Sequence, residues 1–290
     1  MKEEVINMKS ILGVITALIV SFGTSGCDMQ YDFLEVPENS QFEVHYIDVG
    51  QADSALVECD GEAMLIDGGN TADSSLIAAY LKQEEIDSLD YVICTHAHED
   101  HVGGLSGALS VAQAEHIYAP VTESDSKAYK NFKKKTEEQG LEIEHPDAGD
   151  IISLGSSRVE FLGPVNEKGK DTNSTSIVMK ITYGSTSFLF TGDAERDEEA
   201  EILETGANLK STVLKVGHHG SDTSTSYPFL REVMPQYAVI SCERGNSYGH
   251  PHEETLSRLN DAGVEIYRTD LNGNIVMTSD GQNVNVVTEK

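Results

Sequence analysis

Residues 94 to 101 read CTHAHEDH, which places three histidines and two carboxylates in one short run of a 290-residue chain that has 10 His in all. The run follows DYVICT, an apolar stretch that reads as a buried strand, and precedes Gly103 and Gly104, which lead into a helix expected to run to about Ala114. A polar loop needs only Ser, Asn or Lys for solvation. Imidazole and carboxylate are instead the borderline and hard donors that bind zinc or a similar divalent ion. His96 and His98, two apart, can point together from a strand end, while Asp100 and His101 on the turn into the helix face a second point. Ligand pairs placed in this way suit two metals about 3.5–4 Å apart. The fold therefore has to present this loop at the edge of a buried sheet.

The rest of the chain supplies such sheets. FEVHYIDVG, SALVEC and AMLIDGG read as strands, with Asp60-Gly61 as a hairpin turn, and TADSSLIAAYLKQEEI reads as a helix capped at Thr71 or Asp73. HIYAP is a strand and SKAYKNFKKKTEEQG a helix ending at Gly140. SRVEFLGP, TSIVMKITYG, TSFLFTGD, TVLKVGHHG, YAVISC and VEIYRT continue the strands, with helices between them and a final hairpin through SDGQ. Two successive sets of strands and helices predict two sheets packed face to face with helices outside, in one domain over 41–290.

Other chemistry-bearing residues end the same kind of strand. Asp193 closes SFLFTGD, where Gly192 lets the chain turn and expose a carboxylate, and one carboxylate between two cations lowers their repulsion. The alternative for Asp193 is a helix N-cap. His218 and His219 end TVLKVGHHG. Adjacent strand residues point opposite ways, so both reach one metal only if the chain turns there. One is expected to ligate and the other to orient a ligand or meet substrate; spacing favours His219, with the choice left open. Ser221 and Ser224 are substrate candidates or simply turn residues. Asn246, Tyr248 and His250 lie in a loop before Pro251, which is expected in the first turn of a helix. His250 would then hydrogen-bond a phosphate oxygen at a helix N-terminus or protonate a leaving group. Asp48 and Asp53 bracket VGQA, and either can support the metal loop. His45 reads as a packed strand residue, His252 as solvent-exposed, and Lys127, Lys130 and Lys134 as a solvated helix face balanced by Glu137 and Glu138.

THAHEDHVGG carries the HxHxDH pattern and resembles the metallo-β-lactamase superfamily, which implies a four-layer αββα sandwich with metals along one edge. The resemblance runs over residues 42 to 290. LIDGG implies a bracing role for Asp67, FLFTGD a bridging role for Asp193, and LKVGHHGS the late histidine ligand. DVGQADS, NSTSIVMK and NSYGHP narrow the likeness to the branch that holds the β-lactamase-like domain of ComEC-type DNA-uptake proteins, their solitary secreted relatives and teichoic-acid phosphorylcholine esterases. One departure matters. Lactamases and thioesterases of the superfamily place a third histidine for the first metal before the bridging Asp, where only His116 and His145 occur, both read as ordinary histidines. Asn173 stands in the expected place, which leaves room for phosphate oxygens and weakens the lactamase reading.

MKSILGVITALIVSFGTSGC reads as an export signal, with an apolar run too short to span a bilayer and TSGC resembling a lipobox. The expected division is a signal peptide over 1–26, a tether over 27–40 and lipid attachment at Cys27, giving an extracellular lipoprotein held to the membrane only through that anchor. Cys59, Cys94 and Cys242 are expected as buried thiols. A net charge of −29 repels nucleic acid and anionic membranes at long range, so a polyanionic substrate needs a local cationic centre such as bound metal. The expected function is a secreted phosphodiesterase or nuclease-like hydrolase with two divalent ions, Zn²⁺ first and Mn²⁺ second, sharing an attacking hydroxide. Its metal ligands are His96, His98, Asp100, His101, Asp193 and His219 or His218. The catalytic candidates are Asp100, His250 and His218, substrate contacts are Asn173, Ser221, Asn246 and Tyr248, and support comes from Asp67, Asp48 and Asp53. The substrate class is an anionic phosphoester, DNA or a cell-wall polymer, with no obligate protein partner. The alternatives are phosphorylcholine esterase activity, lactone, thioester or β-lactam hydrolysis, and a metal-binding surface module without activity.

Overall fold

A computed structural model describes residues 41–121, 123–166 and 171–290; the export and tether segments lie outside them. Strands β1 (Phe42–Tyr46), β2 (Ala55–Cys59), β3 (Glu62–Ile66), β4 (Ser88–Ile93), β5 (Gln113–Tyr118) and β6 (Ile143–Glu144) come first. They are followed by β7 (Ile151–Leu154), β8 (Ser157–Gly163), β9 (Val178–Tyr183), β10 (Thr186–Phe190), β11 (Val213–Lys215), β12 (Tyr237–Ile240), β13 (Glu265–Arg268), β14 (Ile275–Ser279) and β15 (Val284–Thr288). One sheet has the order β15-β14-β1-β2-β3-β4-β5-β6 and the other β13-β12-β11-β10-β9-β8-β7. Each is mixed: β3 to β6 and β10 to β13 run parallel, and the remaining pairs are antiparallel.

Three apolar clusters define four layers. Phe42, Val44 and Tyr46 of β1 meet Phe161, Phe188 and Phe190 of the other sheet in the central one. Strand alternation sends Leu189 and Leu214 to the opposite face, where helices Arg196–Thr205, Tyr227–Val233 and Glu253–Asp261 cover them with Ile202, Phe229 and Leu259. Leu56 and Val92 face outward on the first sheet, under helices Ser74–Gln83 and Lys127–Glu138. This is the αββα sandwich. Asp60 and Gly61 turn β2 into β3 with φ of 52° and 90°, the left-handed pair that a two-residue hairpin needs. Cys59, Cys94 and Cys242 are free and buried.

Two sequence expectations shift. The helix expected after Gly104 is cut into single turns at Glu99–Val102 and Leu105–Ala108, and β5 already begins at Gln113. At the start of this segment the backbones pack closely, where a Cβ at Gly104 would lie 1.9 Å from the Gly68 carbonyl oxygen. Pro251 lies before the helix Glu253–Asp261, whose N-cap is His252 in extended conformation. His250 is therefore outside the first helical turn, and His252 is half-buried, with Nδ1 accepting from the Asp222 N–H at 3.0 Å.

Candidate metal centre

The site residues lie on loops at one edge of the sandwich, most of them after strand C-terminal ends. Asp53 follows β1, Asp67 follows β3, the 94–101 loop follows β4, Asp193 follows β10, and His218 and His219 follow β11. In open α/β sheets ligands gather at such carboxyl ends, because the loops there leave the sheet together. Backbone bonds tie the loops to each other: Asp53 N donates to Asp100 O at 3.0 Å, Gly68 N to His101 O at 2.7 Å, and Ile177 N to Thr95 O at 2.8 Å. The last of these joins the two sheets. Asp193 N donates to Ser176 Oγ at 3.0 Å, which holds the second sheet's carboxylate against the first sheet's histidines.

Asp193 is the hub. Its Oδ1 lies 3.3 Å from His101 Nε2, and its Oδ2 lies 3.6 Å from His218 Nε2, 3.7 Å from His219 Nε2 and 3.9 Å from His96 Nε2. His219 Nε2 is also 3.4 Å from Asp100 Oδ2, and His96 Nε2 is 3.0 Å from His98 Nδ1. Two sets of donors lie close enough together to share an ion, His96, His101 and Asp193 in one and Asp100, His101 and His219 in the other, with His98 adjoining the first through His96. Asp193 is not the helix cap; Glu195 holds that place.

His218 and His219 share a backbone conformation and differ in what holds their rings. Both residues take left-handed φ, 51° and 52°, so the chain turns there and both rings face Asp193. Their other nitrogens separate them. His219 Nδ1 lies 3.2 Å from Asp53 Oδ1 and 3.2 Å from the Ser241 carbonyl, deep inside the protein, whereas His218 is half-buried with Nδ1 3.4 Å from Glu195. His219 has the anchored geometry of a ligand, and His218 borders the open side beside Asn173, whose Nδ2 is 3.5 Å away.

The anchors behind the histidines are carboxylates. Asp67 sits at a strained φ of 57° and accepts from Thr95 N at 2.8 Å and Thr95 Oγ1 at 2.7 Å, while its Oδ2 lies 2.8 Å from His101 Nδ1. A proton held on Nδ1 leaves Nε2 free to face Asp193. The Ser241 carbonyl takes the Nδ1 proton of His219, with the Asp53 carboxylate beside that nitrogen at 3.2 Å, and Asp53 also accepts from Lys215 Nζ at 2.6 Å, a buried ion pair. Lys215 was missed in the sequence, although a lysine inside VLKV signals a buried cation that needs a partner.

The electrostatics mark a place for positive charge. Burial lowers the affinity of the His101 and His219 rings for protons, but the surrounding carboxylates together outweigh it, Asp193 with Asp67 raising His101 well above the ordinary histidine value and Asp193 with Asp53 and Asp100 raising His219 to about 10. Burial raises the Asp193 carboxyl, yet His101 and His219 hold it well below the usual range. Burial and the neighbouring His101 keep His96 neutral. The buried atoms His101 Nε2, His219 Nε2 and Asp193 Oδ1 have no hydrogen-bond partner. Donors about 2.0–2.1 Å from a tetrahedral zinc stand roughly 3.4 Å apart, close to the spacings observed. The residues present fit divalent cations.

The remaining candidates divide. His250 lies beside the centre, its ring 5.5 Å from that of His218, and Gln51 Nε2 is 3.3 Å from its Nδ1. Burial and the neighbouring histidines lower it to about 4, so it faces the site as a neutral imidazole. Tyr248 stacks on it at 5.6 Å and is 68% exposed. Asn246 spends both ends of its amide on the loop, donating to the Glu243 carbonyl and accepting from Tyr248 N and His250 N, which makes it an organiser rather than a substrate contact. Ser221 is buried in its own turn against Thr223, and Ser224 donates to the Ala194 carbonyl, so neither faces substrate. Asp48 lies apart from the ligands, near Lys290 at 3.8 Å, and lines a cleft of about 700 Å³ beside Asp100. His116 pairs with Glu144 and His145 with the Ala119 carbonyl, away from the centre. Lys130 and Lys134 pair with Asp125 and Glu138 at the surface. Replacing Asp53 by asparagine is expected to weaken zinc binding about 10–100-fold in a chelator competition, while Asp48→Asn leaves it unchanged.

Residues 47–244 match the family model described as Metallo-beta-lactamase superfamily. ComE operon protein 3 of Bacillus subtilis (strain 168) is 30% identical over 279 residues, which cover 90% of this chain and 36% of that protein. Competence protein ComA of Neisseria gonorrhoeae is 33% identical over 240 residues, 82% of this chain and 32% of that one. The chain thus spans about a third of the length of these curated relatives. The metallo-beta-lactamase fold protein YhfI from Bacillus subtilis superposes with a TM-score of 0.54 at 15% identity, covering 85% of this chain and 100% of that one, a likeness of fold.

Proposed function

The chain belongs to the metallo-β-lactamase superfamily, and from that premise we propose that it is a metal-dependent phosphodiesterase. The observation that carries this reading is the donor group His96, His101 and Asp193, whose open border is formed by the half-buried His218 and the Asn173 amide rather than by a further fully buried donor. Fewer protein donors leave coordination room for the non-bridging oxygens of a phosphate. Divalent cations in the two positions, Zn²⁺ or Mn²⁺, supply charge neutralisation and a water acidic enough to attack at neutral pH.

The chain's own groups do the rest. Asp193 would be available to ions in both donor sets, and Asp67 for His101 and the Ser241 carbonyl for His219 hold the tautomer that presents Nε2, with Asp53 beside the His219 ring. Asp100 holds one side of the second position. The neutral His250 ring, steadied by Gln51, offers a hydrogen bond to a substrate oxygen, as does His218, while the Asn173 amide donates to Glu195 and lies against the His218 ring. Proton donation to the leaving group by His250 is disfavoured, because nearby positive charge lowers its basicity further.

The likeness to competence proteins supports a nucleic-acid substrate. A second reading of the substrate comes from the adjoining cleft, whose lining includes Asp48, Asp73, Glu99, Asp100 and Glu243 with Tyr248 and no lysine or arginine. Such walls favour a phosphodiester whose second group is small and neutral or cationic, with the aromatic ring available to a quaternary amine. Export over residues 1–26 and a lipid on Cys27 belong to the same proposal, and mass spectrometry of the mature N-terminus tests them. Among the described residues no helix is long and apolar enough to cross a membrane.

The test is turnover by zinc- or manganese-loaded protein of bis-p-nitrophenyl phosphate, p-nitrophenylphosphorylcholine, single-stranded DNA, a thioester and a β-lactam. Diester hydrolysis that is lost on chelation and restored by metal is expected. Preferential turnover of the thioester or β-lactam would overturn the proposal, and metal uptake with no turnover of any substrate would favour a binding module.

A further inference from the structure

A second constellation of donors lies on the outer face of the first sheet. Glu43 and Glu58 are directly opposite each other on β1 and β2. Like charges in that position repel and destabilise a sheet. His45, two residues beyond Glu43, points to the same face. It is 3% exposed, and its Nε2 has no hydrogen-bond partner. That nitrogen lies 3.6 Å from Glu43 Oε2 and 3.7 Å from Glu58 Oε1, too far for a hydrogen bond to either. Glu43 Oε2 is itself buried and unpartnered. The three atoms lie within 4.8 Å of one another, with a spacing like that around Asp193.

From this geometry we propose a second, separate divalent-cation site formed by Glu43, His45 and Glu58. Two carboxylates and one imidazole are a donor set for Zn²⁺ or Mn²⁺. A cation turns the opposed glutamates from a repulsive pair into two ligands. His45 Nδ1 is 2.9 Å from the Tyr80 hydroxyl, so a proton on Nδ1 donated to that oxygen fixes the ring and leaves the Nε2 lone pair facing the carboxylates. Burial pushes the Glu58 carboxyl up to about 7 against the pull of His45, and Glu43 adds to the rise. The Glu43 and Glu58 side chains are 22% and 25% exposed, which gives an ion a path from solvent. Bound there, it would join β1 to β2 under the helix that carries Tyr80. The role is structural, because none of these side chains is a member of the donor groups around Asp193.

The experiment counts zinc on the full chain, stripped with chelator and then dialysed against Zn²⁺, in wild type, Glu58→Gln, Asp193→Ala/His219→Ala and the combined triple variant. The double variant, with the main centre disabled, is expected to keep about one equivalent, and the triple variant to lose it. Glu58→Gln alone should bind about one equivalent less than wild type and hydrolyse bis-p-nitrophenyl phosphate within about twofold of it. A second measurement guards against misfolding: zinc should raise the melting temperature of the double variant but not of the triple variant. Zinc retained after Glu58→Gln, or no zinc held by the double variant, would overturn the proposal.

Discussion

Alanine at Asp193 is expected to lower turnover of bis-p-nitrophenyl phosphate by about 10³-fold or more and to reduce the zinc content of the main centre. Four imidazole nitrogens surround this one carboxylate, His101 at 3.3 Å, His218 at 3.6 Å, His219 at 3.7 Å and His96 at 3.9 Å. Its removal takes a donor from both positions at once and leaves cations there without the anion that screens them from each other. Metal centres of this kind contribute several kcal/mol of transition-state charge stabilisation, and each 1.36 kcal/mol is a factor of ten in rate. The fold should survive, since Asp193 lies on a loop whose backbone is tied by Ser176 Oγ. Steady-state kinetics with metal analysis and circular dichroism decide the matter: equal activity in both proteins would remove Asp193 from the centre, and with it the assignment of the site.

Methionine at Lys215 is expected to cost about 3–5 kcal/mol of stability, the usual result of removing one partner from a buried ion pair. For a chain of this size that lowers the melting temperature by on the order of 10 °C. Lys215 and Asp53 are both buried, with Nζ 2.6 Å from Oδ2. Burial raises the Asp53 carboxyl, but Lys215 and then His219 hold it below the ordinary range. A carboxyl lowered on folding contributes stability that is present above its unfolded value of about 3.9 and is lost as pH falls through the folded value. The gap between wild type and Lys215→Met should therefore be flat near neutral pH and narrow in acid. The double variant Lys215→Met/Asp53→Asn should recover part of the stability, because no charge is left stranded, yet bind zinc more weakly, because His219 has lost its anchor. Thermal unfolding from pH 8 down to about 2 checks each sign, the narrowing falling below the unfolded carboxyl value of about 3.9.

Local signals in the sequence carried far because each metal-binding loop directly follows a strand. CTHAHEDH after an apolar run and GD at the end of SFLFT each declare a carboxyl end of a strand with donors on it. The strand and helix pattern likewise sufficed for two sheets with helices outside. Element ends were less legible. The helix expected after Gly104 ends at Ala108, because the chain already joins the sheet as β5 from Gln113, a pairing with β4 that no local signal shows. Pro251 suited a first helical turn, and His252 took the cap instead.

Residue types and local spacing determined the chemistry, a divalent-metal edge on an αββα sandwich, because alternation, turn residues and donor identity are properties of short segments. Which donors meet was decided only by tertiary packing. Asp53 reaches His219 across 166 positions, as given by their numbering, Lys215 turns inward to Asp53, and Glu43, His45 and Glu58 share one face only because β1 and β2 pair in that register. The physical reason is that a side chain's partner across a sheet or between two loops is set by strand order and register, and those follow from burying the core as a whole.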